Sequence, residues 1–144
     1  MALVLLDDHL LRDWLAGPDA ALKRAVARSD VVTTNLWYAR LCKSAAGGQS
    51  GAALLGSWSA EEREALIAAI IALPEDIEIV EMKELAWRMG RLVHDHSALS
   101  TLGSEAVSAA EHLGASILVS SRDDGPGIRR TCSSLRIRYR TLDR

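Results

Sequence analysis

Short apolar runs alternate along the chain with longer stretches in which apolar residues recur every three or four positions, the pattern of buried strands separated by amphipathic helices. Leu3–Leu6 reads as a buried strand. Leu10, Leu11, Trp14 and Leu15 then form a helical stripe that Gly17-Pro18 ends. Asp19 caps a short helix with Leu22, Ala25 and Val26 turned inward, and the β-branched run Val31–Thr34 predicts a second strand. Leu36, Trp37, Arg40 and Leu41 continue as a helix. Gly47-Gly48-Gln49-Ser50-Gly51 reads as a linker between helices, and no Gly-Lys-Ser/Thr follows to make it a phosphate loop. Ser59-Ala60-Glu61-Glu62 is a capping box for a helix that buries Leu66, Ile67, Ile70 and Ile71 and ends before Pro74.

Ile77–Val80 predicts a third strand and Lys83–His94 a helix with Leu85, Met89, Leu92 and Val93 on one side. Ser104–Leu113 is a further helix, lined by Ala106, Val107, Ala109, Ala110 and Leu113 and stopped by Gly114. Ser116–Ser120 is the fourth strand. Asp124-Gly125-Pro126-Gly127 is a turn into a short helix that reaches Ser134. Leu135, Ile137, Tyr139 and Thr141 alternate with Arg136, Arg138 and Arg140, a period of two that predicts a half-exposed edge strand. The order β-α-α-β-α-α-α-β-α-α-β-α-β predicts a single α/β domain over residues 1–144, a three-layer α/β/α sandwich around a mainly parallel sheet of about five strands.

Composition narrows the picture. With four Trp, two Tyr and no Phe among 144 residues, the core must come from Leu, Ala, Val and Ile. A net charge of −2 provides no bulk field that would draw in nucleic acid. The charge is unevenly spread, however: Pro126–Arg144 holds six arginines against one acid, a tail that could meet phosphate or form a solvated face. Cys42 and Cys132 are isolated, which predicts a reducing, cytoplasmic setting rather than a disulfide framework. No signal peptide is evident, and the longest apolar stretch, Ala65–Leu73, is too short to span a bilayer.

The candidate chemistry lies at two strand ends. Asp7 and Asp8 follow the apolar run Ala2–Leu6, and Asp123 and Asp124 follow Ile117-Leu118-Val119 by way of Ser120-Ser121-Arg122. Sites in α/β proteins form at the carboxyl ends of parallel strands. If these two strands are neighbours, four carboxylates meet in one crevice, where only a divalent cation or a basic group can neutralise them. A hard-metal site and phosphoryl-transfer chemistry are the expectation. Simpler roles stand beside it: Asp8 as the cap of the first helix, Asp124 as the start of the turn into Gly125, and His9 as a surface residue rather than a proton-transfer group. Trp37-Tyr38 could stack on a base or pack a helix against the sheet, and His94-Asp95-His96 lacks a third zinc ligand nearby.

These residues resemble a PIN domain, the fold of VapC-type toxin ribonucleases. The resemblance rests on Leu3-Val4-Leu5-Leu6-Asp7, on Leu118-Val119-Ser120-Ser121-Arg122-Asp123, and on the Ala-rich helix Ala109-Ala110-Glu111-His112 leading into Leu113-Gly114-Ala115. It implies Asp7 and Asp123 as catalytic acids around Mg²⁺ or Mn²⁺, with Asp8 and Asp124 as further metal candidates. The family's third acid falls near Gly103, where Glu105 could substitute, and Arg40 stands near the expected second acid. Arg40 could bind substrate phosphate beside a weakened metal site, or replace the metal and leave an inert scaffold. Asn35, His9 and Arg122 complete the candidate substrate contacts. The implied function is an endoribonuclease acting on RNA, homodimeric and paired with an antitoxin protein. The alternative is a catalytically degenerate domain that binds protein or RNA. A receiver-like phosphoacceptor domain ranks below both, because Glu81-Met82-Lys83 follows the third strand where a phosphorylatable Asp is needed.

Overall fold

The computed structural model describes residues 2–47 and 58–144. Strands β1 (Ala2–Leu6), β2 (Ser29–Thr33), β3 (Glu78–Ile79), β4 (Ser116–Ser120) and β5 (Tyr139–Leu142) form one sheet in the order β3-β2-β1-β4-β5. Every neighbouring pair is parallel. Parallel strands need long crossovers, and helices supply them: α1 (Asp8–Ala16), α2 (Ala20–Val26), α3 (Asn35–Ala46), α4 (Ala60–Ile71), α5 (Met82–Asp95), α6 (Thr101–Leu113) and α7 (Pro126–Ser134). From β1 the chain winds outward through β2 to β3, then returns to the other side of β1 for β4 and β5. The winding therefore reverses between β1 and β4, the place where α/β sheets open a crevice at their carboxyl ends. A receiver-like sheet would put the third strand beside the first, whereas β3 is an edge strand here.

Alternate residues of the central strands feed two cores. Leu5, Val32, Ile117 and Val119 pack with Leu85, Met89 and Leu92 of α5, Val107 of α6, and Ile128 and Cys132 of α7. Val4, Leu6, Val31 and Leu118 pack with Leu10 and Leu11 of α1, Leu22 and Val26 of α2, and Leu66 and Ile70 of α4. This is the period of two expected of strands covered on both faces, and each fully buried leucine contributes on the order of 2 kcal/mol. Helix α3 serves both sides, sending Trp37 into the first core and Leu41 into the second.

Helix ends follow local chemistry. Asp7, Asp19, Thr34, Ser59 and Ser100 each accept a backbone N–H from the first turn of the helix they cap. Ser59 and Glu62 complete the expected capping box. Gly114 ends α6 at φ 65, a left-handed geometry that favours glycine.

Several expectations are corrected. Helix α6 begins at Thr101 rather than Ser104, because Ser100 caps it. Ile71 and Val93 face solvent: Ile71 is turned one residue away from the buried Ile70, and Leu92 rather than Val93 reaches the core. The alternation from Leu135 onward overstates the last strand. The chain turns through Arg136 at φ 57, and β5 pairs only over Tyr139–Leu142. Two described helices lie between β2 and β3; residues 48–57 between them, which hold most of the linker read at Gly47–Gly51, lie outside the described residues. Among the described residues no helix is long and apolar enough to cross a membrane.

The packing of α7 can be tested at Gly127. A Cβ there would come within 2.6 Å of the Ala98 carbonyl oxygen, whereas one at Gly90 in α5 meets nothing within 4 Å. Gly127→Ala should cost about 1–3 kcal/mol in denaturant unfolding, the scale of overpacking against backbone. Gly90→Ala should be neutral or stabilising by up to about 1 kcal/mol.

Candidate metal centre

Asp7 follows β1 and caps α1, its Oδ1 accepting the Leu10 N–H at 2.9 Å. Its Oδ2 accepts both the backbone N–H and the hydroxyl of Ser120, at the end of β4, each at 2.9 Å. One carboxylate thus joins the carboxyl ends of two adjacent strands, whose register pairs Leu6 with Leu118. Asp7 is fully buried. Burial, and then the neighbouring Asp123, push its carboxyl up to about 7, while the Leu10 and Ser120 N–H groups pull the other way.

Asp8 is the first residue of α1 and almost fully buried. The guanidinium of Arg40, from the middle of α3, grips it with two hydrogen bonds, Nε to Oδ2 at 2.9 Å and Nη2 to Oδ1 at 2.5 Å. The same Nη2 donates to Asp123 Oδ2 at 2.5 Å. Burial works against the Arg40 charge, but Asp8 and Asp123 more than offset it and keep the group fully cationic. His9 completes the cluster: its Nδ1 lies 3.3 Å from Asp123 Oδ2, 3.4 Å from Asp8 Oδ1 and 3.9 Å from Asp7 Oδ2. Hydrogen bonds to Asp123 and Asp8 raise its pKa to about 9 against the cost of burial, so the imidazole is cationic at neutral pH. Burial disfavours the Asp123 charge, yet the hydrogen bonds of His9, Asp7 and Arg40 hold its carboxyl well below the usual range.

Asp7, Asp8, His9 and Asp123 each offer a ligand atom within 4.8 Å of the others, so the group could hold a metal ion. Three oxygens and one nitrogen suit a hard divalent cation in ligand type. Two conditions go with it. His9 must lose its proton before Nδ1 can ligate, and Arg40 must release a carboxylate. Metal uptake would therefore expel protons and strengthen as pH rises.

The other candidates lie elsewhere. Asp124 is outside the cluster, accepting from Arg129 and from the Tyr139 hydroxyl, both at 2.9 Å; its backbone turns the side chain outward. Glu105, expected as a third acid, is fully buried and faces the start of α3. Its Oε2 accepts the Asn35 N–H at 3.0 Å and the Asn35 side-chain amide at 2.7 Å, and its Oε1 accepts the Leu36 N–H at 2.8 Å. It is a helix cap supplied from another helix, set where the α3 dipole favours an anion. Asn35 spends its amide on Glu105 and on the Val80 carbonyl, so it is committed to structure rather than to substrate. Arg122 is exposed beside the crevice.

Asp7, not Asp8, caps the first helix. His9, weighed as a surface residue, sits against Asp123. Trp37 is buried in the core and the Tyr38 hydroxyl donates to the Ile70 carbonyl, so this pair packs. Two contributors escaped the sequence reading: the Ser120 hydroxyl on Asp7, and the Thr33 hydroxyl, which donates to the Leu6 carbonyl at 2.9 Å. For Ser120 the available signal was a hydroxyl at the strand end preceding an acidic pair.

Two outcomes check this geometry. Glu105→Ala strands two backbone N–H groups and an amide, and should cost about 2–4 kcal/mol in chemical unfolding. Asp124→Asn breaks an exposed pair and should cost under about 1 kcal/mol. The second check is pH. His9 moves from 6.5 to about 9 on folding, so its contribution is complete below pH 6.5 and is lost as pH climbs through 9. Asp7, raised from 3.8 to about 7, adds a loss in the same direction between those values. In EDTA, stability should fall from pH 4 to 9; His9→Gln should flatten the upper half of the curve and Asp7→Asn the lower.

No family model and no curated protein matches this chain.

Proposed function

We propose that this chain is a PIN-like endoribonuclease, dependent on Mg²⁺ or Mn²⁺ and of reduced metal affinity, of the kind that serves as the toxin of a VapC-type toxin–antitoxin pair. A cytoplasmic homodimer restrained by an antitoxin protein accompanies that reading. Its main support is the convergence of Asp7, Asp8 and Asp123, from distant parts of the chain, in the crevice between β1 and β4. A crevice at a reversal of strand order is where α/β sheets take up ligands.

In this reading Asp7, Asp8 and Asp123 hold the ion, and Ser120 keeps Asp7 oriented through its two hydrogen bonds. A bound divalent ion supplies polarisation of a phosphoryl oxygen and a more acidic water. Arg40, freed from its carboxylates, presents a fork suited to bidentate pairing with the scissile phosphate. His9, cationic below about pH 9, gives a proton to the departing oxygen.

A second reading is favoured by one observation. Arg40 already bridges Asp8 and Asp123, supplying the positive charge that an ion would otherwise bring. On that view the domain is an inert scaffold that binds a protein or RNA partner.

RNA cleavage assayed with Mn²⁺ beside an Asp7→Asn control separates the two. The nuclease reading expects cleavage by the native chain and none by the variant; equal cleavage by both rejects it. Arg40→Ala should lower stability by about 1–3 kcal/mol, because it leaves the buried Asp8 and the partly buried Asp123 with only His9 beside them. It should also enlarge the Mn²⁺-dependent rise in melting temperature and slow cleavage. No Mn²⁺ stabilisation of either the native chain or Arg40→Ala leaves the scaffold reading standing.

A further inference from the structure

At the opposite end of the sheet, where the strands begin, lies an open cleft of about 630 Å³. That volume falls within the range of small-molecule sites. The guanidinium-bearing residues Arg24, Arg136, Arg138 and Arg140 line it, against one acid, Glu111. None of the four arginines forms an ion pair with a carboxylate among the described residues. Arg140 gives one hydrogen bond, from Nη2 to the Ala25 carbonyl at 2.9 Å, and its Nε is buried with no partner. Burial, and then the neighbouring Arg138 charge, lower its pKa. Arg136 stands in the left-handed region at φ 57, a conformation that costs a non-glycine residue of order 1 kcal/mol. The chain thus keeps an arginine at a strained turn on the rim of a cavity that is already positive.

We propose that this cavity binds a small oligophosphate, with the four arginines that line it pairing with its oxygens. Arginine forks match phosphate geometry and tolerate partial burial better than an ammonium does. A compact polyvalent anion fits better than a nucleic-acid strand, because the basic surface is a cavity of limited volume on a chain whose net charge is −2. The strands are about five residues long, so this site lies roughly 15 Å from the acidic crevice and is independent of the function proposed there.

Isothermal titration with inorganic pyrophosphate, at constant ionic strength and in EDTA, tests the proposal. The native chain should show saturable one-to-one binding. The double variant Arg136→Gly/Arg138→Ala should bind at least roughly tenfold more weakly, the scale of one lost charge-assisted hydrogen bond. Glycine accepts the left-handed turn, so the fold should survive this change. If thermal unfolding shows otherwise, Arg24→Ala, on the surface of α2, takes its place with the same expectation. Asp7→Asn should bind pyrophosphate as the native chain does. Absence of saturable binding, or equal binding by native and variant chains, overturns the proposal. So does tighter binding of a single-stranded RNA with a 5′-hydroxyl end that is lost in the same variant, which would assign the arginines to a nucleic-acid backbone.

Discussion

A carboxylate stays ionised in a crevice floored by leucine and valine only if an opposing charge or a set of donors answers it, and the carboxyl end of this sheet is organised around that requirement. Asp8 and Asp123 are answered by Arg40 and His9. Asp7 is hydrogen-bonded by backbone and hydroxyl donors, with His9 more distant at 3.9 Å, and burial together with Asp123 pushes its carboxyl up to about 7. Asp7 and Asp123, shifted in opposite directions, thus share one small volume with Asp8. An unequal set of this kind can take up a proton, a guanidinium or a cation according to supply.

The same requirement shapes the fold around the site. Asp7 caps α1 and anchors the end of β4, so the residue that creates the electrostatic problem also closes the seam between the central strands. Arg40 carries the charge of α3 across to the α1 and β4 ends, and Glu105 ties α6 to the first turn of α3. Each of these links is a buried or half-buried charge matched by several donors, which makes removal of one partner costly while leaving the net worth of the intact pair modest. The helices are thereby held in register by polar contacts at one end and by apolar burial along their length.

Charge is segregated along the sheet axis. Acids gather where the strands end, and arginines gather where they begin. The carboxyl ends of α2 and α6 reach the basic end, where cations are favoured by the helix dipoles. Arg140 spends a donor on α2 there, through the Ala25 carbonyl. At the acidic end Arg40 and His9 offset most of the carboxylate charge, whereas the four arginines at the basic end have no carboxylate partner among the described residues.

Much of this architecture could be read from residue order. Leu3–Leu6 and Ile117–Val119 are apolar in succession because both faces of their strands are covered, and Asp19, Ser59 and Gly114 mark helix ends by chemistry that acts over three or four residues. The Asp7 and Asp123 pairing followed from the two strand ends, given adjacent strands. Other features depended on contacts between distant segments, which no local pattern encodes. Glu105 in a first helical turn looked like a free acid until α3 arrived with its unsatisfied N–H groups. Asp124 looked like a partner of Asp123 until the turn aimed it at Arg129 and Tyr139. The alternation of Leu135 to Thr141 suggested a longer strand, but the chain turns at Arg136 and pairs with β4 only from Tyr139. Periodicity and capping are short-range and survive in the sequence; which carboxylate meets which cation depends on where whole helices dock, and only the folded chain decides that.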